Sequence, residues 1–164
     1  MSRFLLSAFI LLTFCGVLCA QSSPLIMRHA DSLSVARTRG SLLLQGKVHF
    51  IHDSIQFKTQ RAIWNRDIDM VQCDGGFLFT HPDGFIKASS GVYQKKNNFA
   101  SATGNVVAAD SQKTYAFFGE HLTLDRKEGI LTMPDKPILH QYEMKGDSID
   151  TLSIKAKKIV YHQK

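Results

Sequence analysis

Three short glycine-led triplets, Gly46-Lys47-Val48, Gly76-Phe77-Leu78 and Gly104-Asn105-Val106, recur at intervals of roughly thirty residues. A second mark falls between them: Ala62-Ile63-Trp64, Gly91-Val92-Tyr93, His121-Leu122-Thr123 and Lys158-Ile159-Val160-Tyr161. Each is a small or polar residue followed by apolar residues or Thr. The spacing holds until the last step, where residues 143–151 read as an insertion. Each unit is two strands. Two strands cannot bury an apolar face alone, so neighbouring units must stack.

The stretch 97–124 shows the unit most clearly. Ala100, Ala102, Gly104, Val106 and Ala108 share one face, and Ser101, Thr103 and Asn105 the other. Side chains alternate across a strand, so this is a period-2 pattern. Asp110-Ser111-Gln112-Lys113 breaks it with turn-forming residues. Residues 115–118 and 121–124 then resume it.

Further strands are predicted over 42–50, with Gly46 as a bulge or close-approach point. Another follows over 55–64, after a turn at Asp53-Ser54. Residues 70–73 lead into Asp74-Gly75-Gly76, a turn or bulge signal, and 77–80 end at the turn Pro82-Asp83-Gly84. Strands are also expected over 85–93, 129–133, 138–144 and 149–161. Residues 32–39 suit either a turn of helix or a strand. The reading is all-β: an elongated sandwich or roll of two facing sheets, with a parallel β-helix as the alternative.

Residues 1–20 stand outside this pattern. Arg3 precedes an apolar run over 4–12, and Ala20 is a small residue ahead of Gln21. That is a secretory signal peptide, with cleavage expected after Ala20. An uncleaved membrane anchor is the alternative, at the short limit of a bilayer span. Lipidation at Cys15 or Cys19 is discounted, because Phe14 and Leu18 stand where a small residue belongs. The mature chain, 21–164, has the length of one domain. It keeps one cysteine, Cys73, so no disulfide framework holds it together. The whole chain carries a net +6, which becomes +5 without Arg3. A basic excess on an exported protein suits an anionic partner such as a lipid headgroup or a cell-wall polymer.

No catalytic or metal-binding signature stands out. His49 and His52 are three apart, which chelates on a helix but points to opposite faces on a strand. Asp67 and Asp69 would share a strand face, yet beside Asn65 and Arg66 they read as a solvated loop. His81-Pro82-Asp83-Gly84 is a turn. Phosphate-loop, zinc-protease and nucleophile-elbow motifs do not occur. No cofactor, nucleic acid or enzymatic activity is expected.

Four segments carry a resemblance. His29-Ala30-Asp31, Leu44-Gln45-Gly46-Lys47-Val48, Lys87-Ala88-Ser89-Ser90-Gly91-Val92-Tyr93 and Ala102-Thr103-Gly104-Asn105-Val106 are similar to the alternating motifs of the OstA-like family. These are periplasmic lipopolysaccharide-transport domains of the LptA type. The resemblance covers roughly 27–164, departing at His121 and over 143–151. It implies an open β-jellyroll that holds lipid A acyl chains between its sheets. It also implies head-to-tail self-association and edge pairing with other jellyroll transport proteins at the inner and outer membranes. On that reading Val48, Phe50, Phe77, Phe79, Val106, Tyr115 and Phe117 line the lipid groove, and Lys47, Lys58, Arg61 and Lys87 meet the phosphates of lipopolysaccharide or a similar anionic glycolipid. Two other functions fit the composition: a β-solenoid scaffold that binds no lipid, and a cell-wall hydrolase built on Asp67, Asp69 and the histidines.

Overall fold

The computed structural model describes residues 23–36 and 40–162. The expected signal peptide and residues 37–39 lie outside the described residues. Twelve strands follow in order: β1 (Ile26–His29), β2 (Ser32–Val35), β3 (Ser41–His52), β4 (Ile55–Asn65), β5 (Met70–His81), β6 (Gly84–Gln94), β7 (Phe99–Asp110), β8 (Tyr115–Asp125), β9 (Ile130–Met133), β10 (Ile138–Lys145), β11 (Ser148–Lys155) and β12 (Ile159–His162). A 3-10 turn over Lys95–Asn97 joins β6 to β7. Residues 32–35 are therefore strand, not helix. Every pairing is antiparallel, which sets aside the parallel β-helix.

The strands hydrogen-bond into one twelve-stranded sheet, and that sheet is folded across its middle. The crease is made by the glycines of the repeat. Register shifts interrupt β3 between Gln45 and Val48, β5 between Asp74 and Phe77, and β7 between Thr103 and Val106. At each shift two successive residues have positive φ: Gly46 and Lys47, Gly75 and Gly76, Gly104 and Asn105. This conformation is cheap for glycine and tolerable for Asn, which explains why Gly leads each pair. An extra residue in one strand bends it and raises its twist. The frame of the middle triplet is thereby corrected: Gly75, not Gly76, is the counterpart of Gly46 and Gly104. The period is then 29 residues at both steps, 75 less 46 and 104 less 75. The residue after each bulge returns to the interior: Val48, Phe77 and Val106 are all buried.

The crease divides each long strand between two layers. Layer one holds residues 48–52, 55–59, 77–81, 84–88, 106–110 and 115–119, and layer two holds the remaining halves. The ends of the sheet show the division directly. β1 pairs with β3 at His49, Phe50 and Ile51, whereas β2 pairs with Leu42, Leu43, Leu44 and Gln45 of the same strand. Likewise β10 takes Tyr115 to Phe118 of β8, and β9 takes Thr123 to Asp125. β12 then extends layer two from β9, and β11 extends layer one from β10. The predicted strand over 149–161 is thus two strands serving different layers. Residues 70–80 are one strand with a bulge, not two with a turn.

Aromatic rings fill the space between the layers. Phe50, Phe57, Phe77, Phe79 and Tyr93 are each 0 or 1% exposed. Phe50 and Phe57 stack as cross-strand partners, 5.0 Å apart. Tyr93 lies on layer two, yet its ring is 5.3 Å from Phe57 and 6.2 Å from Phe79, both on layer one. Burying each such ring contributes roughly 1.5–3 kcal/mol. Cys73 is buried on β5, and burial pushes its thiol up to about 12. Among the described residues no helix is long and apolar enough to cross a membrane.

Candidate functional site

Opposite the crease the layers part along a mouth edged by turns. The turns at 53–54, 82–83 and 111–114 bound layer one, and those at 66–69, 95–98 and 126–129 bound layer two. The mouth differs along its length. At the β3–β4 end a polar network closes it. His52 Nδ1 and Tyr93 Oη are 2.6 Å apart across the layers, with His52 3% exposed. Tyr93 Oη donates to Asn98 Oδ1 at 3.4 Å, and Arg126 Nη1 donates to the same oxygen at 3.3 Å. Burial raises the Tyr93 hydroxyl to about 12 and lowers the His52 pKa, against an opposing pull from Asp53. Asp67 and Asp69 sit in the turn beyond this network, not on a strand, and Asp69 pairs with Lys95 at 3.1 Å.

Towards β8 and β12 the mouth opens into a cavity of about 760 Å³. Layer one supplies Phe79, Ile86, Ala108, Tyr115 and Phe117 to its walls, and layer two supplies Leu124, Leu131 and Tyr161. Tyr161 bridges the layers, 6.3 Å from Tyr115 and 5.5 Å from Phe117. The rim is polar: His81, Asp83 and Asp110 face Arg126, Lys127 and Glu128. A chamber of this size, with apolar side chains from both layers in its walls and charged groups of both signs at its lip, can take an amphiphilic ligand.

The apolar surface continues past the cavity. Leu139 pairs with both Phe117 and Ile154, so all three share the interior face of layer one. Leu152 follows on that face two residues earlier in β11. Leu152 and Ile154 are 56% and 41% exposed, because β12 does not reach over them. The interior is therefore open at this end of the sheet as well as along the mouth.

Of the residues predicted to line a groove, Phe79, Tyr115 and Phe117 border the cavity. Phe50 lies in the packed part of the same interior. Val48 and Phe77 are buried at the crease, as is Val106. The four basic residues do not gather at the mouth. Lys47, Lys58 and Lys87 converge on a separate cleft near the crease, and Arg61 lies 4.0 Å from Asp74. Sequence reasoning missed Ile86, Leu124, Leu131, Tyr161, Arg126 and Lys127. The apolar four carried a usable signal, since each sits on the inward parity of its strand. The two basic rim residues lie in a turn, where no periodicity marks them. His49 bonds Gln56 at 3.1 Å while His52 faces inward. Among the described residues no three His, Cys, Asp or Glu side chains are placed to share a metal ion.

Neither a protein-family profile nor a curated protein sequence matches the chain. Solved structures do. One is LptH of Pseudomonas aeruginosa, described as the LptA-homologous periplasmic component of the conserved lipopolysaccharide transport device. The superposition has a TM-score of 0.60 at 14% identity and covers 79% of this chain and 94% of LptH. The fold is LptA-like. At that identity the shared property is backbone architecture: an open, creased antiparallel sheet with unpaired edges at both ends. The weak sequence signal has a structural cause in this chain: its repeat is carried by bulge residues and an inward parity, which many apolar side chains satisfy.

Proposed function

We propose that this protein is an exported, non-enzymatic carrier of lipopolysaccharide or a similar anionic glycolipid in the periplasm. Acyl chains lie in the cavity between the layers, against Phe79, Phe117 and Tyr161. Phosphates at the lip meet Arg126 and Lys127. The observation that carries this reading is the unfilled apolar cavity, open along the mouth of an otherwise densely packed interior.

The edges support the second half of the reading. β1 and β2 end the sheet on one side, and β11 and β12 end it on the other. Unpaired edges invite strand addition. Pairing of β11 with the first strands of another jellyroll would extend the interior from Leu152 and Ile154 into the next molecule. Head-to-tail copies, and jellyroll partners at the inner and outer membranes, would then form one continuous apolar channel.

Site-specific photocrosslinking in cells tests the carrier role. A photoreactive residue at Phe79, Tyr115 or Phe117 is expected to capture lipopolysaccharide, and one at outward-facing Asn105 is not. Folded variants that capture no lipid from any cavity position would replace the carrier by an envelope scaffold.

A further inference from the structure

At the closed end of the mouth one hydrogen atom has two acceptors within reach. Tyr93 Oη lies 2.6 Å from His52 Nδ1 and 3.4 Å from Asn98 Oδ1. A phenol carries a single donor, so it serves only one of them at a time. The protonation of His52 decides which. Its Nε2 faces the Asp53 carboxylate at 3.5 Å, and a carboxylate only accepts, so Nε2 carries a hydrogen. In the neutral ring Nδ1 is therefore a bare lone pair and draws the Tyr93 hydrogen. In the protonated ring Nδ1–H donates to Tyr93 Oη, and the hydroxyl hydrogen turns to Asn98.

Arg126 ends this chain of bonds. Its Nη1 donates to Asn98 Oδ1 at 3.3 Å, and the same residue stands at the lip of the cavity. The two turns are tied by their backbones: Arg126 N–H donates to the Asn98 carbonyl oxygen at 3.0 Å, and Asn98 N–H to that of Lys95 at 3.0 Å. The guanidinium can therefore leave while the turns stay in place. Once it leaves, Tyr93 is the one donor among the described residues that still reaches Asn98 Oδ1, and it can donate there only with His52 protonated.

Charge acts in the same direction as the hydrogen bonds. Burial, Lys95 and Arg126 oppose a positive charge on His52, whereas Asp53 and the backbone of Ser23 favour it. Lys95 is already paired with Asp69 at 3.1 Å, so Arg126 is the cation whose neutralisation would change the balance. The ring has a way to solvent. A polar recess of about 420 Å³ runs to it between Asp53, Asp67, Asp69, Lys95 and Lys96.

We propose that loading of an anionic ligand at the lip is linked to the uptake of one proton by His52. The ligand's negative group draws the Arg126 side chain off Asn98, the Tyr93 hydroxyl turns from His52 to Asn98, and His52 takes a proton from solvent at Nδ1. The Tyr93 O–H bond rotates and is not broken. The link rests on the carrier reading above and on its assignment of Arg126 to the headgroup. A ring that holds its proton more tightly in the complex makes the complex tighter in acid. Affinity is highest below the titration midpoint of the free ring, falls as pH rises to the midpoint of the complex, and is level beyond it. Acid favours loading and neutral solution favours release.

The test follows the His52 ring by NMR of the isotopically labelled protein, its signals assigned by their loss in His52→Gln. One probe is dihexanoyl phosphatidylglycerol, whose phosphodiester keeps its single charge throughout the titration. The other is dihexanoylglycerol, with the same acyl chains and no charge. The free ring, when neutral, should be the Nε2–H tautomer. Both probes should shift the amides of Phe117 and Leu131 in the cavity. Only the charged probe should raise the His52 midpoint, by at least about 0.7 pH unit, and its affinity should fall at least about fivefold between about pH 5 and about pH 8. Tyr93→Phe should bind both probes and lose most of that rise. A midpoint that stays put while both probes bind, or a rise undiminished in Tyr93→Phe, overturns the proton link and leaves the carrier reading standing. Cavity amides that neither probe shifts overturn the carrier reading and the link with it.

Discussion

Removing one oxygen atom, by Tyr93→Phe, isolates the bond that closes the mouth at the β3–β4 end. The ring stays, so its contacts with Phe57 and Phe79 survive and no large cavity forms. What is lost is the 2.6 Å bond to His52 Nδ1. His52 is 3% exposed, so water does not readily replace the hydroxyl. Its other nitrogen, Nε2, faces Asp53 at 3.5 Å and cannot serve both sides. On the Asn98 side the loss is cushioned, because Arg126 still donates to the same amide oxygen. Leaving one buried nitrogen unpartnered costs about 1–3 kcal/mol. For a domain of this size that lowers the melting temperature by about 4–8 °C at the middle of that range. Thermal unfolding followed by circular dichroism, at mildly alkaline pH where His52 is neutral, measures it. A Tyr93→Phe protein melting within about 1 °C of the parent would refute the idea that this bond ties the two layers.

The same histidine predicts a pH dependence. Its folded pKa is depressed, chiefly by burial, so the unfolded chain binds the proton more readily. The stabilisation is complete above the ordinary value of 6.5 and drains away as pH falls from there towards the lower folded pKa; His52→Gln should flatten this slope in melts across that window. Gly91→Ala should destabilise by about 1–3 kcal/mol, read in denaturant midpoints, because a Cβ there would sit 2.4 Å from Phe77 Cδ1. Cys73 should resist alkylation in the native protein and react fully once unfolded, since the residue is 4% exposed and its thiol is raised to about 12; rapid native labelling in a mass-spectrometric time course would contradict its burial on β5.

The glycine repeat was legible before the structure, with a bulge as one reading of it, but at the middle triplet the bulge was not separable from a turn. At Asp74-Gly75-Gly76 a bulge and a turn make the same demand, two residues at positive φ. Only the register distinguishes them, and register depends on neighbours in β4 and β6. Alternation similarly exposed the inward faces of β3, β5 and β7, because those strands keep one parity through the bulge. The partner strands change parity at the crease: Ala62 and Thr59 are both buried, with Gln60 and Arg61 outward between them. A period-2 reading of residues 55–64 cannot foresee that switch. The His52–Tyr93 bond joins residues 41 apart in sequence across the mouth, so no local pattern announces it. Residues 149–161 looked continuous because Ala156 to Lys158 lack a strong breaker, although the chain there crosses from one layer to the other.

The crease repeats every 29 residues, and each period adds two strands. Two strands widen the sheet by about 10 Å without altering its cross-section, since every period brings its own bend and its own pair of rim turns. Interior length is therefore a counted quantity. A tandem copy of residues 75–103 would lay one more increment of wall beside the last, joined by the pairing already used throughout. Deleting that segment would remove one increment, with both edges left as they are. A sheet built this way can be lengthened or shortened by duplication or deletion alone, and its evolution need not redesign a core.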